Sequence, residues 1–368
     1  MRVILPVVTA VLVSLTPISS AALDSSAGPI NVEIKADGLE EPWGLAFLPD
    51  GGWLITERGG RLLRFDASGA RNIVAGVPEV VVEGQGGLLD VMIPRDFDQS
   101  REVFLSFSAP QRRGAGTALA VGRLNDAGDA LEDLRVIFEM ARGSSGGRHF
   151  GSRIVEAPDG TIFLTTGDRA DRPSAQDLSN HNGAVIRINR DGSVPEDNPF
   201  VNTSGALPEI WSYGHRNPQG AALDLDGVLW VNEHGARGGD EVNRVMAGAN
   251  YGWPVISYGR HYSGMSIGEG TAKPGMEQPA HYWDPSIAPS GMAIYSGTLW
   301  PEWQGDVFVG SLKFGLISRL EAAGDNLREA ERIEGAETAR VRDIVEAPDG
   351  ALWILSVGQG AAYRLTPG

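Results

Sequence analysis

Four stretches of the chain read as one phrase: an apolar run, an Asp-Gly turn, then a second apolar run. They are "WGLAFLPDGGWLITERGGRLLRF" (43–65), "SRIVEAPDGTIFLTTGDR" (152–169), "QGAALDLDGVLWVNEHG" (219–235) and "RDIVEAPDGALWILSVGQGAAYRL" (342–365). Asp-Gly between alternating apolar runs is the strongest short-range hairpin signal. The turn aspartates are Asp50, Asp159, Asp226 and Asp349, separated by 109, 67 and 123 residues. These spacings read as two, one and two units of roughly 55–65 residues, or about six units in all. A unit of that size holds about four short strands, so the expected fold is all-β, a six-bladed β-propeller. A parallel β-helix is the rival, but its repeat is much shorter. Trp43, Trp53, Trp230 and Trp353 fall inside the repeats and are expected to pack between blades.

The rest of the sequence agrees. Gly 49 and Pro 22 among 368 residues suit many short strands and tight turns. Residues 1–22, "MRVILPVVTAVLVSLTPISSAA", carry one Arg, then an apolar run interrupted by Pro6 and Pro17, then small residues. This is the pattern of a secretory signal peptide, leaving 23–368 as one propeller domain, periplasmic or secreted. No later stretch is apolar and long enough to cross a bilayer, so no stable membrane insertion is expected. The absence of cysteine excludes disulfides, thiolate metal sites and C-x-x-C-H haem attachment. A net charge of −16 argues against a nucleic-acid partner. It leaves room for an anionic small molecule in a locally basic pocket.

A propeller gathers loops from every blade around its axis, so residues distant in sequence converge there. The six histidines stand far apart, with no H-x-H or H-E-x-x-H pair to support zinc. "HGARGGDE" (234–241) has two readings. Its carbonyls and carboxylates could hold Ca2+, which accepts oxygen donors in flexible geometry, or it is a Gly-rich turn closing a blade. Arg216, Lys313 and Arg342 lie on three separate loops. Brought together they would bind a polyanionic ligand; taken singly each is a surface charge. No G-x-S-x-G elbow supports a nucleophilic hydrolase.

The ordered series Q-G-G-L-L-D, G-x-H-F-G-S-R, G-H-R-N-P-Q-G, E-H-G-x-x-G-G-D-E-x-N, N-Y-G-W-P, A-P-S-G, S-L-K and R-x-R-D resembles the soluble, pyrroloquinoline-quinone-dependent aldose sugar dehydrogenases, related to soluble glucose dehydrogenase. The likeness runs from about Glu41 to Leu365. It implies a six-bladed propeller binding pyrroloquinoline quinone (PQQ), a flat ortho-quinone with three carboxylates, which Arg216, Lys313 and Arg342 would meet. It also implies Gln85, Asn217 and Ser290 at the quinone's edge and Tyr262 packed near it. Gly235 and Ala236 would give carbonyls to a catalytic Ca2+, while Glu241 and Tyr251, the latter by its carbonyl, would bind a second, structural Ca2+. Relatives often carry proline where this chain has Ala236; a carbonyl ligand survives that change. His149 would be the general base, taking the anomeric proton of an aldose while the C1 hydride passes to the quinone, with Arg216 and Ca2+ stabilising the resulting oxyanion. The product would be an aldonolactone, and electrons would leave to an external acceptor, a quinone or redox protein. His215 would support the Arg216 loop and His234 the calcium loop. The rival classes are a calcium-dependent lactonase on a similar propeller and a non-catalytic ligand-binding propeller.

Overall fold

The computed structural model describes residues 22–141 and 143–368. The expected signal segment lies outside the described residues except for Ala22, which pairs with Asn31 in the first strand. Six antiparallel sheets follow in chain order: blades 1 (42–74), 2 (88–139), 3 (154–213), 4 (218–283) and 5 (289–334) have four strands each. Blade 6 takes three strands from 341–367 and is completed by Gly28–Ala36, which pairs with Ala361–Pro367 and is itself edged by Ala22–Ser25. The first strand of each blade touches that of the next, and blade 6 touches blade 1, so the ring closes as a six-bladed propeller.

The turn aspartates mark the first hairpin of blades 1, 3, 4 and 6, which is why their spacings come out as two, one and two units. Blades 2 and 5 lack the signal because that connection is a helical turn, Phe97–Ser100 in one and Pro301–Trp303 in the other. Asp50, Asp159 and Asp349 each accept the N–H two residues on, from Gly52, Thr161 and Ala351. The second carboxylate oxygen of each pairs at 2.6 Å with an arginine on the third strand of the same blade: Arg64, Arg187 and Arg364. In blade 4 the acceptor is Asp224, which takes the N–H groups of Asp226 and Val228 and the indole of Trp230.

The core is laid down between blades. Trp53 and Trp353 meet at 5.1 Å where blades 1 and 6 pack, and Trp230 packs with Val242 and Met292 between blades 4 and 5. Trp43 packs with Leu89, Ala115 and Phe150, and it also walls the axial cavity described below. Because strands alternate in direction, the connection entering each blade and the connection between its second and third strands share one end of the axis. The first hairpins lie at the other. On the axis, Arg153 bridges Asp90 and Asp343 at 2.8 and 2.9 Å and separates a loop-end cavity from a hairpin-end mouth. The aspartates of Q-G-G-L-L-D and R-x-R-D therefore hold the inner strands of blades 2, 3 and 6 together.

Candidate active site at the loop end

His149 sits on the connection into blade 3, in left-handed backbone conformation with φ 59°. Such a conformation is uncommon for a residue with a Cβ and is kept only where the surroundings impose it. Here Gln85 Oε1 accepts the His149 N–H at 2.7 Å, and Gly167 packs against the His149 carbonyl where a Cβ would lie 2.1 Å away. The ring nitrogen Nδ1 is 2.6 Å from Asp168 Oδ1. Asp168, fully buried, also accepts the Trp253 indole N–H at 2.8 Å and the Ala170 N–H at 2.7 Å. An ionised carboxylate accepts only, so Nδ1 carries the proton and Nε2 is left as the basic nitrogen. Burial lowers the His149 pKa below its ordinary value; the Asp168 hydrogen bond opposes this and the Arg216 charge adds to it. Burial works against the Asp168 anion, yet its bond from His149 and the nearby Arg216 hold it below the usual range. Asp168 escaped the reading of the sequence. Its signal was available in "TTGDRAD": a carboxylate directly following the second strand of a repeat, at the end where the base lies.

A cavity of about 210 Å3 opens on the axis at this end. Trp43, Gln85, Gln219, His234 and Arg342 line it, together with Arg58 and Arg340, which the sequence reading did not single out. Arg342 lies 5.5 Å from the Trp43 ring and donates to Gln219 Oε1 at 2.9 Å. Burial, with repulsion from Arg153, brings its pKa down to about 9. Arg216 donates from Nη1 to the His234 carbonyl at 3.1 Å and from its backbone to Glu233 at 2.6 Å. Its Nε is buried without a partner. Of the three expected cations, Arg342 lines this cavity, while Arg216 lines the small void beside it, with His234 common to both. Lys313 stands exposed on the rim, with Nζ 3.2 Å from the Ser286 carbonyl.

The remaining expected residues fall into two groups. Asn217 is buried and accepts the Gly151 N–H and the Gln219 amide, both at 3.2 Å. Ser290 is fully buried, and its hydroxyl is given to the Val341 carbonyl at 2.6 Å. Tyr262, by contrast, is 72% exposed on the long connection of blade 4.

Beside this cavity, a void of about 10 Å3 is lined by Gly235, Glu241 and Tyr251, and by Glu233 and Arg216. Asn243 Nδ2 bridges the two carboxylates, 3.1 Å from Glu233 and 3.2 Å from Glu241. Burial, with repulsion from Glu233, pushes the Glu241 carboxyl up to about 8. Two carboxylates repelling each other around a space sized for one ion are what a hard cation relieves. The Tyr251 hydroxyl donates to the Arg244 carbonyl and accepts the Met246 N–H, so only its backbone oxygen is available for such an ion. Gly235 donates its N–H to Asp240 at 2.8 Å, and a Cβ there would meet the Gly238 carbonyl at 2.2 Å. Ala236 is buried in a small cluster with Ala175, Trp253 and Ile267. Glu233 is the carboxylate that sequence reasoning missed. It stands in "NEHG", one residue before His234, and also holds His215 Nδ1 at 2.8 Å. His215 is buried against Tyr251, and His234 gives its ring N–H to the Pro289 carbonyl at the start of blade 5.

The glucose/sorbosone dehydrogenase family model matches residues 39–364. Aldose sugar dehydrogenase YliI of Escherichia coli is 45% identical over 355 residues, covering 95% of this chain and 96% of that one. The apo-form crystal structure of the soluble aldose sugar dehydrogenase from Escherichia coli superposes with a TM-score of 0.89 at 43% identity, covering 92% of this chain and 100% of that one. The PQQ-bound aldose sugar dehydrogenase from Streptomyces coelicolor superposes with a TM-score of 0.75 at 27% identity, covering 91% and 97%.

Proposed function

The chain belongs to the glucose/sorbosone dehydrogenase family, and from that premise we propose that it is a PQQ-dependent aldose sugar dehydrogenase that oxidises the sugar at C1 to the aldonolactone. The observation that carries this reading is the pairing of His149 with Asp168 beside an arginine whose Nε has no partner, at the edge of a basic axial cavity. When bound, PQQ supplies the hydride acceptor and Ca2+ the Lewis acid beside it.

The chain's own residues do the rest. His149 Nε2 takes the proton of the C1 hydroxyl, and the buried Asp168 keeps the ring in the required tautomer and stabilises its positive charge until the proton is released. Arg216 places a positive charge next to the base, keeping His149 neutral and ready to accept a proton. Arg216, Arg340 and Arg342, with Lys313 on the rim, would hold the carboxylates of the cofactor. Gln85 and Asn217 would meet its edge while fixing the His149 loop through their oxygens. Ser290 acts from beneath, holding the carbonyl of Val341 and so the position of Arg342. Tyr262, exposed near Arg216, would cover the bound ring. The carbonyls of Gly235 and Ala236 would take the catalytic Ca2+, and Glu241, Glu233 and the Tyr251 carbonyl the structural one. Electrons leave to an external acceptor, and residues 1–22 would direct the chain to the periplasm or outside the cell.

The test is a titration of the apo-protein with PQQ in Ca2+ and in chelator, followed by addition of an aldose. The reading requires a reduced-quinone absorbance change and dye reduction in Ca2+ only. Lactone hydrolysis without added quinone would favour the lactonase instead.

A further inference from the structure

Among the described residues five arginines are almost fully buried, and they divide by partner. Arg153 pairs with Asp90 and Asp343, Arg187 with Asp159 and Asp197, and Arg319 with Asp306 and Glu331. Arg169 and Arg216 have no ion-pair partner among the described residues, and Arg216 lines the site itself. Arg169 is left, 2% exposed and without a counter-ion. Burial brings its pKa down to about 10, against the pull of Asp168 and Glu83. Burying a cation without a counter-ion is costly, so what its hydrogen bonds hold is informative.

They hold two carbonyls. Nη1 donates to the carbonyl of Arg148, and Nη2 donates at 3.2 Å to that of Ala115, on the strand Gly114–Leu124 of blade 2. The guanidinium carbon lies 3.5 Å from the centroid of the Phe150 ring. The Arg148 carbonyl belongs to the peptide group that ends in the His149 N–H, and Gln85 Oε1 accepts that N–H at 2.7 Å. This rigid plane is therefore held at both its oxygen and its nitrogen. Turning the plane about the N–Cα bond of His149 is what changes φ, so the two bonds together keep the 59° that histidine rarely adopts. Three consecutive residues thus share the histidine: Gly167 packs on its carbonyl, Asp168 holds its ring, and Arg169 holds the peptide before it. Arg169 lines neither the axial cavity nor the void beside it, so it acts through His149. We propose that Arg169 is a positioning residue for the general base, clamping the Arg148–His149 peptide to blade 2 and so keeping the ring on Asp168. The inference rests on the assignment of His149 as the base. Lysine, a compact charge without the planar fork, cannot serve both carbonyls in this geometry.

The test reads the ring before it reads the rate. In PQQ-free protein labelled with ring-15N histidine, low-field Nδ1–H proton signals are expected from the histidines whose Nδ1 meets a carboxylate, His149 on Asp168 and His215 on Glu233. His149→Ala assigns the first, and the second reports an intact fold. In Arg169→Met the His149 signal should broaden into exchange with water while the His215 signal stays. With PQQ and Ca2+ loaded, kcat for glucose should fall about 10²-fold, with KM and the affinity for PQQ within about twofold. Arg169→Lys keeps the charge and should still lose the His149 signal and at least about tenfold in kcat. If the methionine variant does not fold, the lysine variant decides. A folded variant with both signals unchanged, or with kcat within about twofold of the unaltered chain, would overturn the proposal. So would loss of the His215 signal in the lysine variant, because the guanidinium would then hold the fold as a whole. An unaltered chain that oxidises no aldose sinks the redox reading, and the PQQ-free signals still decide whether Arg169 holds the ring.

Discussion

The two ends of the propeller axis are built from the same strands and differ in how they treat charge and backbone. At the hairpin end, Asp50, Asp159 and Asp349 are paired with arginine, and the left-handed positions of the four Asp-Gly turns are glycine, Gly51, Gly160, Gly227 and Gly350, with φ between 80° and 84°, while Arg101 takes that conformation in the helical turn of blade 2. At the loop end, Arg216, Arg340 and Arg342 stand without an ion-pair partner among the described residues, although Arg58 pairs with Glu41. Left-handed positions there include glycines such as Gly147 and Gly238 but fall also on His149, Ser152, Arg169, Ala170, Ala288 and Arg340. Glycine adopts that conformation without steric cost, whereas the others hold it against a cost of order 1 kcal/mol each. One end is locally satisfied and contributes stability. The other is held in place by its neighbours and keeps its charges free for what binds there.

The largest expected effect comes from removing the base. His149→Ala should lower kcat by about 10²–10⁴-fold in enzyme loaded with PQQ and Ca2+. Its thermal midpoint should stay close to that of the unaltered chain, because the side chain's only bond is to Asp168. Full dye reduction by the variant would remove the base from the mechanism and with it the functional contrast between the ends.

Glycine to alanine at matched positions sharpens the comparison further. At Gly167 the new Cβ would lie 2.1 Å from the His149 carbonyl, backbone against backbone, so the loop carrying the base must move. A shift of that kind costs about 10²-fold in rate. At Gly160 the same Cβ meets nothing within 4 Å, and only the φ of 84° is strained. Gly160→Ala should therefore cost about 1 kcal/mol in denaturant unfolding and leave kcat alone. Similar behaviour of the two variants would mean that the site is not held by this contact.

Asp168→Asn should slow turnover by at least about tenfold through loss of the fixed tautomer. It should also move the pH profile. Neutral His149 is the working form, so kcat/KM falls as pH drops through a value below the ordinary 6.5. The Asp168 hydrogen bond raises the His149 pKa, so its loss shifts that acid limb to still lower pH. An unmoved limb would place the titration on another group.

How legible each end was follows the same division. The hairpin end announces itself, because an Asp-Gly turn between apolar runs is a local signal: four turns were enough to count six blades, and only the helical turns of blades 2 and 5 were silent. At the loop end the resemblance pointed to His149, Arg216, Gln85 and Glu241, and the fold brings all four to that end. Asp168 was passed over although it closely follows the second strand of a repeat, and Glu233, Arg58 and Arg340 were not singled out because nothing local distinguishes them. Their meaning comes from partners well away in sequence: Asp168 from His149 19 positions before it, Glu233 from His215 18 before it, and Arg58 from Gly86 28 after it. Trp43 and Arg153 show the same limit: one walls the cavity besides packing, and the other seals the axis, roles that no spacing encodes.

The calcium loop allows a test of stability in place of rate. In chelator the Glu241 carboxyl has its pKa raised to about 8 by burial and by Glu233. A carboxylate with a raised folded pKa favours the fold below its unfolded value near 4.5 and loses that contribution as pH climbs through about 8. Apo-protein should therefore lose stability, on the order of a few kcal/mol, between those pH values. Saturating Ca2+ should flatten the slope, and Glu241→Gln should flatten it without metal. A chelator-treated chain whose thermal midpoint is the same at both pH values would leave the loop as a plain turn.

The smallest effect belongs to the hairpin end. Asp159 accepts the N–H and hydroxyl of Thr161 and pairs with Arg187, yet its side chain is 52% exposed. Solvent screens the ion pair to well under 1 kcal/mol, and the turn bonds add about 1 kcal/mol more. Asp159→Ala should thus cost about 1–2 kcal/mol in urea unfolding. The kcat should not change, since Arg187 keeps Asp197 and lies at the end away from the cavity. If Asp159→Ala lowered kcat together with stability, the turn would act on the site through the blade, and the separation of the two ends would carry no functional meaning.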